Sequence, residues 1–135
     1  MVLTIYTDGA SRGNPGRASY GFVVFDERKK KIHEEGKYLG IKTNNFAEYT
    51  AVIKALEYVG NNFSSEDTEL KFFMDSKLVA EQLSGRFKVK SPNLIPLVNK
   101  IRLMSQSLKE VAYAHIPRSE NYLADAQANL ALDSL

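Results

Sequence analysis

The chain opens with two stretches dominated by β-branched and aromatic residues, VLTIYTD at 2–8 and ASYGFVVFD at 18–26, separated by GASRGNPG. Both predict strands, and the glycines and proline between them predict a break. The polar tip Glu27-Arg28-Lys29-Lys30 turns the chain toward a third strand over 31–39, giving a three-stranded antiparallel meander. The basic run in that tip reads as solvated hairpin surface. From Asn44 the apolar period becomes helical: Val52, Leu56 and Val59, with Tyr49 and Ile53 beside them, share one face until Gly60-Asn61-Asn62 stops the run.

A short apolar run, ELKFFMD at 69–75, predicts a fourth strand, and SKLVAEQLSG predicts a helix with Ser76 as its N-cap and Gly85 at its end. After RFKVKSPN, the residues Leu94, Leu97, Val98, Ile101, Met104 and Leu108 trace another helical face, with Pro96 tolerable in the first turn. EVAYAHI at 110–116 predicts the last strand and NYLADAQANLALDSL the closing helix. The order is βββαβααβα. A meander pairs antiparallel, whereas strands reached through helices add in parallel, so the fold class is α/β: a five-stranded mixed sheet with helices on both faces. No repeat or linker divides residues 1–135, and the length fits one domain.

Composition narrows the chemistry. Cysteine is absent, which excludes disulfides and thiolate metal sites and leaves oxygen or imidazole as metal ligands. The first residues show no basic-then-apolar leader, and no apolar run nears the ~18 residues of a membrane span, so the expectation is a soluble, cytoplasmic protein without a membrane partner. The net charge of +2 announces nothing by itself. If four of the 16 acids were gathered into one site, however, the 18 basic residues would face 12 acids elsewhere, a surface of about +6 that favours a polyanion.

Four carboxylates stand where such a gathering is feasible. Asp8 is expected to close the first strand and Asp75 the fourth; if these strands are parallel neighbours, both side chains emerge at the carboxyl edge, where open α/β sheets hold their ligands. Glu48 and Asp125 fall early in helices. Taken singly, each has a plainer explanation: a turn at Asp8-Gly9, a cap at Asp75, a helix-dipole partner at Glu48 or Asp125. Together they would repel one another on one edge unless cations bind, and oxygen-only ligands select magnesium, with manganese as a substitute. A pair of such ions about 3.5–4 Å apart serves phosphodiester hydrolysis. GASRGNPG lacks the Gly-Lys-Ser/Thr ending of a P-loop, and no cysteine nucleophile or paired-histidine zinc motif occurs.

The blocks TDGASRGNPG, NNFAEYTAVIKAL, FFMDSKLVAEQLSG and HIPRSENYLADAQANLA, each bearing one of these acids and spread over nearly the whole chain, resemble a type 1 ribonuclease H. The resemblance implies a ribonuclease H-like fold in which Asp8, Glu48, Asp75 and Asp125 hold two metal ions. It implies cleavage of the RNA strand of an RNA–DNA hybrid to 5′-phosphate and 3′-hydroxyl ends, with Glu48 near the RNA 2′-hydroxyl. Ser11, Asn14, Asn44 and Asn45 are similar to the family's minor-groove readers, although the Asn pair also reads as an ordinary helix cap. Thr43 falls where the family holds a DNA-strand phosphate, and His115 where it carries a mobile histidine that assists proton transfer or product departure. A lone histidine at a strand's end is otherwise structural or solvent-facing, and His33 is left as a strand residue. On this reading Gly9, Gly13 and Gly16 form a loop that lets backbone approach the nucleic acid.

The chain departs from the family pattern in three places. A basic helix and loop that grips the hybrid in many bacterial members is missing after Gly85, where Arg86, Lys88 and Lys90 alternate with Phe87 and Val89, either as a partial substitute or as a plain edge segment. Lys77 replaces a glutamine near the RNA and suits a phosphate better than a base edge. Gln127 interrupts an apolar helix segment on a face that spacing leaves open. The expected partner is an RNA–DNA hybrid, with double-stranded RNA as a further candidate and a monomer as the working unit. Two alternatives stay open: a module of the same fold that binds hybrid or double-stranded RNA without cutting, and a nuclease of the same superfamily that acts on DNA ends or junctions.

Overall fold

A computed structural model describes residues 1–135. Its strands are β1 (Val2–Gly13), β2 (Gly16–Phe25), β3 (Lys31–Lys42), β4 (Glu69–Met74) and β5 (Glu110–His115). The helices are α1 (Asn44–Asn62), α2 (Lys77–Leu83), α3 (Ile95–Ser105) and α4 (Tyr122–Asp133). The strands form one sheet in the order β3-β2-β1-β4-β5. β1, β2 and β3 pair antiparallel, while β4 adds parallel to β1 and β5 parallel to β4. The expected mixed α/β sheet is therefore present, with α1, α2 and α3 on one face and α4 on the other. No helix is long and apolar enough to cross a membrane.

The main core lies under α1. Tyr49, Val52, Ile53, Leu56 and Val59 pack with Leu3, Ile5, Phe22, Leu70 and Phe72 from the sheet and Val98 and Ile101 from α3. Each fully buried side chain of this size contributes about 1.5–3 kcal/mol relative to exposure, so the helical stripe read from the sequence is also the energetic centre of the fold. The opposite face is built differently. Small residues Ala124 and Ala128 of α4 are fully buried, and Ser19 Oγ donates 2.6 Å to the Ala128 carbonyl. A Cβ on Gly36 would lie 2.2 Å from the Gln127 carbonyl oxygen, so the helix backbone itself rests on the sheet. Gln127 is half-buried at this seam, which answers the question its spacing left open.

Strand limits differ from expectation at one instructive place. GASRG does not leave the sheet after Asp8: β1 continues through Gly13, the chain turns at Asn14-Pro15, and β2 begins at Gly16. The glycines therefore sit in a strand hairpin rather than an open loop and serve the fold, while Gly9 also borders a cleft. A Cβ on Gly9 would sit 2.3 Å from the Glu48 backbone nitrogen, so α1 reaches β1 only because residue 9 lacks a side chain. Gly13, at φ +104°, and Gly16 close the hairpin.

Candidate active site

Asp8 lies within β1, not at its end, but at the point where that strand parts from β4. The parallel ladder between them finishes at Tyr6 opposite Phe73. β4 itself ends at Met74, so Asp75 stands on the connection to α2, and both acids line one cleft. Asp75 does not cap α2; the Ser76 hydroxyl does, accepting from the Val79 amide at 3.3 Å. Glu48 comes from the second turn of α1, held over Asp8 by the close seat at Gly9. The fourth acid follows from register: Asp8 is opposite Gly21 on β2, and Gly21 touches the Ala124 carbonyl, one residue before Asp125.

One carboxylate oxygen from each of Asp8, Glu48 and Asp75 lies within 4.8 Å of the others. Asp125 lines the same open cleft of ≈ 470 Å³ but stands outside that trio. Asp8 and Glu48 are buried, at 4% and 7% exposure, and Glu48 Oε2 has no hydrogen-bond partner. Burial, reinforced by the charges of Asp75 and Asp125, pushes Asp8 up to about 8. Burial followed by the charges of Asp8 and Asp75 drives Glu48 well above the usual carboxylate range, against a smaller lowering by the Gly9 amide. Burial and mutual repulsion thus favour the protonated acids as long as no cation is bound. An unpaired buried oxygen among three hard ligands is what a divalent cation fits, since metal coordination supplies both the missing partner and the missing charge.

The remaining expected residues divide into groups. Ser11, Asn44 and Asn45 line the acidic cleft. Asn14 and Thr43 line an adjoining groove of ≈ 710 Å³, which Asn44 and Asn45 also border. Several of these polar groups already hold the fold together. Thr43, not either asparagine, is the N-cap of α1, its Oγ1 accepting from the Phe46 amide at 3.2 Å. Asn14 Oδ1 accepts from the Asn44 amide at 3.0 Å, tying the β1–β2 turn to the start of α1. The Ser11 hydroxyl faces the carbonyls of Gly13 and Lys42. His115 ends β5 and Lys77 begins α2; both are exposed, and neither lines the cleft.

Sequence reasoning missed three residues of the site. Arg118 and Asn129 line the cleft, and an Arg118 nitrogen stands 3.9 Å from Asp125 Oδ1, where it opposes the upward shift of Asp8. The third is Asn121, within a stretch that reads as flexible from composition. Arg118–Glu120 instead forms a 3-10 turn, and Asn121 is completely buried.

Residues 6–131 match the family model described as reverse transcriptase-like. Ribonuclease HI of Halobacterium salinarum is 41% identical over 128 residues, covering 95% of this chain and 63% of that protein. The crystal structure of RNase H1 from that archaeon superposes with a TM-score of 0.93 at 37% identity, each chain being covered completely. The chain belongs to the ribonuclease H family. The crystal structure of a ribonuclease H from compost, LC11-RNase H1, in complex with an RNA/DNA hybrid has a TM-score of 0.92 and 40% identity, with 98% of this chain and 97% of that one covered. A bifunctional protein of Mycobacterium tuberculosis is 41% identical over 135 residues, 99% of this chain. This ribonuclease H chain spans only 36% of that mycobacterial relative.

Proposed function

We propose that this chain is a divalent-metal-dependent endonuclease that hydrolyses the RNA strand of RNA–DNA hybrids. The observation that carries the reading is the trio Asp8, Glu48 and Asp75, with carboxylate oxygens within 4.8 Å of one another and one buried oxygen unpaired. A relative of the same family and nearly the same fold has been crystallised with an RNA/DNA hybrid, which supports that duplex as substrate. Magnesium suits the all-oxygen donor set, with manganese as substitute.

Asp8, Glu48 and Asp75 would hold the ions, with Asp125, in the lining of the same cleft, completing the set. Ions bound there would supply the chemistry of activating a water and stabilising the leaving oxygen. In the hydrolysis, the water oxygen would bond to phosphorus and give up a proton, the bond from phosphorus to the 3′-oxygen would break, and that oxygen would take up a proton, leaving a 5′-phosphate and a 3′-hydroxyl. Ser11, Asn44 and Asn45 line the same cleft, and their hydroxyl and amide groups suit the 2′-hydroxyls and base edges of a minor groove. His115, at the exposed end of β5, is placed in proton transfer or product departure only if it swings toward the cleft.

The test is one substrate panel: hybrid, duplex RNA and duplex DNA, each with magnesium, manganese or chelator. Cleavage of the ribonucleotide strand of the hybrid, abolished by chelator, is expected. Retention of hybrid without cleavage at any metal concentration would instead identify a binding module, and cleavage confined to duplex DNA would identify a different nuclease.

A salt dependence follows from the surface. No helix fills the segment between α2 and α3, and Arg86 there is paired with Glu81 at 3.2 Å. Lys88 and Lys90 remain as exposed cations. Hybrid affinity should therefore fall steeply between low and physiological salt, and Lys88→Ala with Lys90→Ala should flatten the slope of log affinity against log salt by about one for each phosphate no longer neutralised. A slope unchanged by the double substitution would remove this segment from the interface.

A further inference from the structure

Resting on the nuclease reading above, we propose that Asn121 is a positioning residue that aims the Asp75 carboxylate and locks together three of the four acid-bearing elements. Its Nδ2 has two hydrogens and two acceptors: the Thr7 carbonyl at 2.9 Å and Asp75 Oδ2 at 3.3 Å. Its backbone carbonyl accepts the Asp125 amide at 3.1 Å, the bond that starts α4. One buried residue therefore touches the peptide unit next to Asp8, the side chain of Asp75 and the main chain of Asp125.

The need for such a residue differs among the acids. Asp8 and Glu48 are fixed by burial, whereas Asp75 is half-exposed on the connection after β4 and has open cleft beside it. A carboxylate in that setting has several accessible rotamers, and the one hydrogen bond its side chain accepts is the one from Asn121. The chemistry of the tether is constrained as well. A cation here would neutralise the acids and compete with metal, an aspartate would add a further negative charge, and serine has a single donor for two acceptors. An uncharged amide meets all of these demands.

Packing alone does not account for the choice. Asn121 Oδ1 is buried without a hydrogen-bond partner, so the residue is not held for its acceptor; what an apolar residue of similar size would lack is the Nδ2 donor to the Thr7 carbonyl and to Asp75. What the amide adds is direction: with one proton committed to the Thr7 carbonyl, the other is aimed along a fixed line at Asp75. Outer partners that orient a metal-binding carboxylate commonly change metal affinity by about 10–100-fold when removed.

The experiment uses the full chain and the variant Asn121→Ala, both shown to be folded by thermal melting. Calorimetric titration with manganese should give an affinity at least about tenfold weaker for the variant. Cleavage of hybrid at saturating metal should show a lower kcat with KM for the hybrid unchanged, since no residue of the substrate rim has been altered. If Asn121→Ala does not fold, Asn121→Ser, with one donor retained, carries the same measurements. Manganese affinity and kcat equal to those of the unsubstituted chain, in whichever variant folds, would overturn the proposal and leave Asn121 as a strand-to-helix clamp. A different failure, an unsubstituted chain that neither takes up manganese nor cuts hybrid, would bring down the nuclease reading on which the proposal rests.

Discussion

Replacing Asp75 by asparagine is expected to lower hybrid cleavage by at least about 10³-fold while the fold stays intact, because groups that act as a unit lose most of their effect when one is removed. The substitution keeps size and shape and leaves an oxygen able to accept from Asn121, so the change is one of charge and metal affinity. Asp75 is half-exposed and lies outside the sheet, and its loss leaves the core under α1 untouched. Two measurements separate what is lost. Single-turnover cleavage over a range of magnesium shows whether high metal restores the rate, and a hybrid-binding assay in chelator shows whether the substrate rim still works. Binding retained with the rate lost is the expected pair. Activity within tenfold of the unsubstituted chain at ordinary magnesium would mean that Asp75 is not a ligand and that the 4.8 Å trio is an accident of a crowded sheet edge.

The architecture was legible in the sequence because its elements announce themselves locally. The stripe Tyr49, Val52, Ile53, Leu56 and Val59 is periodic and is buried as a stripe. The β-rich runs in 2–8 and 18–26 are strands with extended ends. What was not legible depends on contacts between distant parts of the chain. Gly9 reads as the first residue of a turn, yet it stays in β1 because its missing Cβ is needed by α1, which begins 35 residues later. The carboxylates were identifiable as a set by their places in strands and helices, but nothing local separates the trio from Asp125, whose distance depends on how α4 seats on Gly21 and Gly36. Asn121 was the least visible. It lies in a Pro-Arg-Ser-Glu-Asn run whose composition signals an exposed loop, while its side-chain partner, the Thr7 carbonyl, is 114 residues away. The available hint was its position just before a helix, a place where asparagine is common for capping, although here the side chain turns to the sheet instead.

In the absence of divalent metal, the protein is expected to lose stability as pH rises from about 5 to 8, the reverse of what most paired carboxylates produce. Asp8 titrates near 8 in the folded chain, raised from 3.8 by burial first and then by Asp75 and Asp125. Over that window the native state retains a proton that the unfolded chain has released, so the unfolded state binds fewer protons and stability falls with pH. The contribution is fully present below about pH 4 and is lost as pH climbs through the folded value. From Asp8 alone the effect across this window is on the order of a few kcal/mol, or roughly 10 °C in Tm for a domain of this size, and Glu48, shifted upward in the same cluster, acts in the same direction. Asp8→Asn removes the titrating group and one of the mutually repelling charges, so in chelator at pH 8 the variant should melt above the unsubstituted chain even though it cleaves nothing. Adding magnesium should raise the Tm of the unsubstituted chain, since ligation replaces the protons, and should raise that of Asp8→Asn far less. Thermal melts at pH 5 and 8, with chelator and with magnesium, decide the matter: a metal-free Tm that is flat or rising across that interval would show that the carboxylates of Asp8 and Glu48 carry their charges without help, and the need for cations at this edge of the sheet would disappear.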